Sequence, residues 1–203
     1  MNFLAHAYLS FGQEEILIGN FIGDFVKGKN LHTYPAGIRN GILLHREIDR
    51  YTDLHPLVKE GQSYLRPYFG HYSTVITDIY FDYFLGFHWE KYSPISLETF
   101  SHQTYQSILS RQEILPEKFL EMFFWMQSQN WLLNYRTQMG IQQTFRGLSR
   151  RARFDSKMEE APLFLTEKEN EFREIFFAFF KDLETFASVK LQEIKETNAS
   201  HKT

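Results

Sequence analysis

Apolar residues recur at three- and four-residue spacing along almost the whole chain, and alternating runs bounded by tight-turn dipeptides are hard to find. The pattern predicts an all-α chain with helices over about 2–11, 14–27, 36–53, 56–68, 73–90, 96–110, 116–139, 139–152 and 166–195. Pro35, Pro56, Pro67, Pro94, Pro116 and Pro162 fall near the ends of these segments, where a missing N–H costs least. No repeat or low-complexity block divides the sequence. A single-domain multi-helix bundle over 1–195 is therefore expected, with a polar tail, E-T-N-A-S-H-K-T, that should be disordered over 196–203.

The informative positions are those that break the pattern. In G-I-L-L-H-R-E-I-D-R-Y-T-D, Gly41 to Asp53, His45 and Asp49 share a face with Ile38, Ile42 and Ile48. At roughly 100° per residue they lie about 40° apart on that face, while Arg39, Arg46 and Arg50 fall on the opposite one. In S-T-V-I-T-D-I-Y-F-D-Y-F-L-G-F-H-W-E, Asp78 and Asp82 are again four apart among apolar neighbours, and no Lys or Arg precedes Lys91. His6 lies among Phe3, Leu4, Ala5 and Leu9, and Asp24 among Phe21, Ile22, Phe25 and Val26. Any one of these is read most simply as a hydrogen-bonded core residue. Together, two His and four Asp on apolar faces need compensation, because buried charge is costly unless paired. A divalent cation would supply it, and imidazole with carboxylate suits manganese, iron, magnesium or zinc.

Composition narrows the choices. The 203 residues are 43% hydrophobic and 23% charged, as in a globular chain, and the 21 phenylalanines read as core. With no cysteine, thiolate ligands, disulfides and a Cys nucleophile are excluded. The net charge of -3 gives no reason to expect nucleic acid. No window approaches the roughly 18 apolar residues of a membrane span, so no membrane partner is expected. The start lacks a basic region and a cleavage site, and a cytoplasmic location is expected.

Other motifs fail. G-D-F-V-K-G-K-N, Gly23 to Asn30, follows a phosphate loop for seven positions but puts Asn30 where the metal-binding hydroxyl should be, with no strand before it. No H-E-x-x-H, G-x-S-x-G or G-x-G-x-x-G occurs, which leaves metal-assisted hydrolysis. In R-G-L-S-R-R-A-R-F-D-S-K, Arg146, Arg150, Arg151, Arg153 and Lys157 are concentrated in an otherwise slightly acidic chain. They are either a solvated helix end placed against its dipole or a landing patch for an acidic partner.

M-N-F-L-A-H, G-N-F-I-G-D-F-V-K-G, G-I-L-L-H-R-E-I-D-R-Y-T-D, D-I-Y-F-D-Y-F-L-G-F-H-W and W-L-L-N-Y-R, in this order, resemble the acyl carrier protein phosphodiesterases over Met1 to Val189. The resemblance implies an all-α fold distantly similar to HD-type metal phosphohydrolases, although no contiguous His-Asp dipeptide is present. It also implies manganese-dependent hydrolysis of the phosphodiester joining 4'-phosphopantetheine to a serine of holo-acyl carrier protein, with magnesium or iron as alternative metals. The family's motif positions fall on His6, Asp24, His45, Asp49, Asp78 and Asp82. On this reading His6, Asp24, His45 and Asp78 bind the metal, and Asp49 orients a ligand or water. Asp82 is an outer partner, a base or a ligand to a second ion, and Arg46 and Lys27 clamp phosphate. Arg146, Arg150, Arg151 and Arg153 dock the carrier. Two rivals remain: an HD-type hydrolase of nucleotides or small phosphoesters, and a non-catalytic helical protein that binds the carrier.

Overall fold

The structure, a computed structural model, describes residues 1–200, and positions 201–203 of the expected tail lie outside the described residues. It is 83% helical, and no strand occurs among the described residues. The α-helices are α1 (Phe3–Tyr8), α2 (Glu14–Ile22), α3 (Ala36–Leu54), α4 (Pro56–Phe69), α5 (Ser73–Phe87) and α6 (Leu97–Leu109). They continue with α7 (Glu117–Ser128), α8 (Trp131–Asn134), α9 (Gln138–Arg151), α10 (Ala161–Glu167) and α11 (Glu169–Ser200).

The core follows from the apolar periodicity. On α11, Phe172, Phe176, Phe179, Phe180, Leu183, Ala187 and Leu191 form a buried stripe at helical spacing. That stripe packs on α3, α4 and α5. Phe179 meets Phe81 with ring centroids 5.2 Å apart, and Phe176 meets Phe84 at 5.8 Å. Rings at such separations add to the roughly 1.5–3 kcal/mol that burying each side chain contributes. Helix α5 is the central element, buried at nearly every position from Ile76 to Gly86 except Asp78.

Helices α2 and α3 cross closely because glycine faces glycine. A Cβ on Gly19 would lie 2.2 Å from the Ile38 carbonyl oxygen and 2.7 Å from the Gly41 Cα, so any larger residue would drive the helices apart. This crossing holds α2 and its following turn against the His45 face of α3.

Several boundaries differ from those that periodicity predicts, among them a separate α10 ahead of α11 where one helix is expected from 166. The helix expected over 14–27 ends at Ile22 and tightens into a 3-10 turn, Gly23–Phe25. The long segment expected over 116–139 breaks at Asn130, whose left-handed φ of 47° separates α7 from α8. The expected disordered tail is helical through Ser200, and Asn198 Nδ2 donates to Asn40 Oδ1 at 2.6 Å. Among the described residues, no helix is long and apolar enough to cross a membrane.

Candidate metal centre and adjoining cleft

The short helix α1 is held at both ends of its first turn. Asn2 caps it through Phe3 N–H, while the Asp82 carboxylate on α5 accepts Leu4 N–H at 2.8 Å and Ala5 N–H at 3.2 Å. These amides have no partner inside the helix, so a carboxylate facing them satisfies both. Ring orientation is set next: Asn20 Oδ1 lies 3.2 Å from His6 Nδ1, and Asn20 Nδ2 donates to the His6 carbonyl at 3.2 Å. His6 Nε2 thus faces α3.

There it meets the pair singled out in the sequence. Asp49 Oδ1 is 3.1 Å from His6 Nε2, and Asp49 Oδ2 is 3.1 Å from His45 Nε2. The imidazoles stack with centroids 4.2 Å apart. Gly23 makes room for the second ring, since a Cβ there would lie 2.3 Å from His45 Cγ. The turn after it brings Asp24 Oδ1 to 3.2 Å from His45 Nε2.

Among the described residues, His6, His45 and Asp49 form a group able to hold a metal ion, with one ligand atom from each mutually within 4.8 Å. His45 Nε2 tests the fit. It is buried and has oxygens at 3.1 and 3.2 Å, yet neither contact has hydrogen-bond alignment. Donors sharing one ion at about 2.1 Å lie roughly 3.0–3.5 Å apart along polyhedral edges without pointing at one another. The donor set and its spacing fit a divalent cation.

Electrostatics sort the two imidazoles. Burial lowers the His6 pKa, and the neighbouring His45 charge lowers it further, against the pull of Asp49. Burial alone would also depress His45, but Asp24 and Asp49 overcome it and raise its pKa to about 9. Burial opposes ionisation of Asp49, yet the two rings and the N-terminal amine hold its carboxyl well below the usual carboxylate range. Asp24 is held low chiefly by His45.

Asp78 has a different partner from the one expected. Its Oδ1 lies 3.1 Å from the Met1 amine, which is also 3.6 Å from Asp49 Oδ1. Burial would lower the amine's pKa, but Asp78 and Asp49 raise it to about 10, and burial raises the Asp78 pKa. The amine is therefore the cation that α5 itself lacks. Asp82 is fully buried, and burial pushes its carboxyl up to about 7 against the two amide bonds.

The sequence readings map unevenly onto this geometry. His6, His45, Asp49 and Asp24 come together. Asp78 adjoins them through the amine, while Asp82 braces α1. Asp24, expected within an apolar helical face, instead sits on the 3-10 turn with its side chain 77% exposed. Arg46, expected to clamp phosphate, donates through Nη2 to the Val26 carbonyl at 2.8 Å and anchors the segment bearing exposed Lys27. Arg146, Arg150, Arg151 and Arg153 are exposed on α9 and just beyond, and Arg151 also lines a cleft.

That cleft, about 340 Å³, adjoins the centre through Met1, Asp24 and Asp78 and is walled by α5, α7, α8 and α9. The sequence reading missed Asn20 and the α9 wall. Asn20 carries a usable signal, a lone amide inside I-L-I-G-N-F-I. Gln143 and Thr144 on α9 carry none, because polar residues are ordinary on a helix surface.

Fold and site together define an all-α protein with a His/carboxylate centre of metal-binding type beside a cleft. The family model described as acyl carrier protein phosphodiesterase matches residues 1–183, and the chain belongs to that family. Similar relatives of the same name occur in Photorhabdus laumondii (36% identity over 152 residues, 74% of this chain and 77% of the relative) and Klebsiella pneumoniae strain 342 (36% over 158 residues, 77% and 82%). Another, from Enterobacter sp. strain 638, is 35% identical over 158 residues, covering 77% of this chain and 82% of the relative. No solved structure matches.

Proposed function

We propose that this chain hydrolyses the phosphodiester joining 4'-phosphopantetheine to the serine of holo-acyl carrier protein, giving apo-carrier and free 4'-phosphopantetheine in the cytoplasm. The observation that carries the reading is Asp49 within 3.1 Å of both His6 and His45 in a chain of this family. His6, His45 and Asp49 would hold a divalent cation, manganese by preference, with Asp24 reaching the same place from its turn. Asp78, whose partner is the Met1 amine, is the sequence-derived ligand least supported by the geometry.

When bound, the cation would acidify water and neutralise charge on the phosphoryl oxygens. The protein's own groups do the rest. Asn20 orients His6 so that Nε2 faces Asp49, the role that outer partners of ligating imidazoles play. Arg151 lines the cleft and exposed Lys27 follows Asp24 by three positions, so both are cations suited to the non-bridging phosphate oxygens. Arg146, Arg150 and Arg153 extend positive charge outward, where an acidic carrier surface would land and bring its ester to the centre.

Metal-stripped protein should be assayed with holo-carrier, nucleotides and small diesters, with manganese, magnesium or iron added back. Loss of the prosthetic group from holo-carrier, seen by intact mass and strongest with manganese, supports the reading. Turnover of nucleotides alone favours the small-phosphoester hydrolase, and carrier binding without turnover favours a non-catalytic role.

A further inference from the structure

The cleft beside the centre has a composition that the chemistry at phosphorus does not require. Resting on the function proposed above, we infer that it seats the pantetheine arm of the substrate, so that the enzyme recognises the prosthetic group along its length as well as at its phosphate. At about 340 Å³ it falls within the roughly 300–1,000 Å³ range of small-molecule sites. Its walls combine the apolar Val75, Leu148 and Trp131 with the amides of Gln129, Asn134 and Gln143. A neutral chain of methyl and methylene groups interrupted by amides needs this mixture: apolar surface for the carbon skeleton and paired donors and acceptors for the amides. Arg151 is the one Lys or Arg side chain among the lining residues, too little positive charge for a polyphosphate. The phosphate end is fixed by position, because Asp24 and Asp78 line the same cleft and Asp24 touches His45.

Helix α9 leaves the space open. Gly147 lines the cleft, and a Cβ added there would meet nothing within 4 Å, whereas Gly140, two turns earlier, presses on α8, where a Cβ would lie 2.0 Å from the Asn134 carbonyl oxygen. A side chain there would grow into the volume assigned to the arm without displacing packed atoms. Next to it, Arg151 Nε donates to the Gly147 carbonyl at 3.1 Å, so the arginine that faces the cleft is tethered at its rim.

The test is calorimetric titration of phosphate-free pantetheine into the manganese-equilibrated wild-type protein and into Gly147→Phe. Wild type should bind, and Gly147→Phe should bind at least about tenfold more weakly at unchanged manganese affinity. Should Gly147→Phe fail to fold, Gln143→Leu, at an exposed position, serves instead and should also weaken binding. Absence of pantetheine binding to wild type at millimolar concentration, or equal affinity in wild type and the folded variant, overturns the inference. Pantetheine binding lost in the variant, in a protein that fails to cleave holo-carrier, would support the cleft assignment while striking down the hydrolase reading. Cleavage of holo-carrier without pantetheine binding would do the reverse.

Discussion

Asp82 on α5 accepts the backbone N–H of Leu4 at 2.8 Å, seventy-eight positions away in sequence, and so fixes the helix that carries His6. Burial pushes this carboxyl up to about 7, whereas in the unfolded chain it titrates near the ordinary aspartate value of about 4. Between those values the folded state keeps a proton that the unfolded state has released. This group's contribution to stability therefore falls as pH rises from about 4 to 7. Asp82→Asn keeps an oxygen acceptor and cannot ionise. Urea unfolding of metal-stripped proteins should show wild type losing stability relative to Asp82→Asn across that interval. A difference independent of pH would contradict the assignment.

Gly23 and His45 give a steric prediction. A Cβ at Gly23 would lie 2.3 Å from the imidazole, so Gly23→Ala must displace the ring or the turn. Overpacking of this kind costs about 1–3 kcal/mol. The specific expectation is weakened manganese binding beyond what Gly147→Ala causes, since Gly147 has open space around it. Equal manganese affinity in the two variants would show that the His45 position is immaterial.

How much of this was legible in the sequence follows from the kind of signal each residue leaves. His45 and Asp49 were legible as one face because a helical interval points side chains alike, and the structure brings both to His6. Asp24 was legible as an anomaly but misplaced. Spacing continued the helix through it, whereas the contact of Gly23 with His45 belongs to the tertiary fold. The break at Asn130 had no proline or glycine to announce it. The pairing of Asp78 with the Met1 amine joins groups remote in sequence, which periodicity cannot report.

The basic run yields a kinetic expectation. Arg146, Arg150 and Arg153 are exposed, so replacing all three with Ala should spare the fold. If they steer an acidic carrier, kcat/KM for holo-carrier should fall about tenfold at low ionic strength, and its dependence on salt should flatten. An unchanged salt dependence would return these arginines to the role of a solvated helix end.

Asp49, between His6 and His45, is proposed as part of a cation site and not only as a hydrogen-bonding neighbour. The most direct measurement is the manganese affinity of the stripped protein, wild type against Asp49→Asn, which preserves shape and removes charge. Loss of an outer partner typically costs roughly 10- to 100-fold in metal affinity, so loss of a ligand should cost more. Wild type should bind one or more manganese ions, and Asp49→Asn should bind them more than about 100-fold more weakly. Manganese bound equally well by both proteins, or by neither, would contradict it.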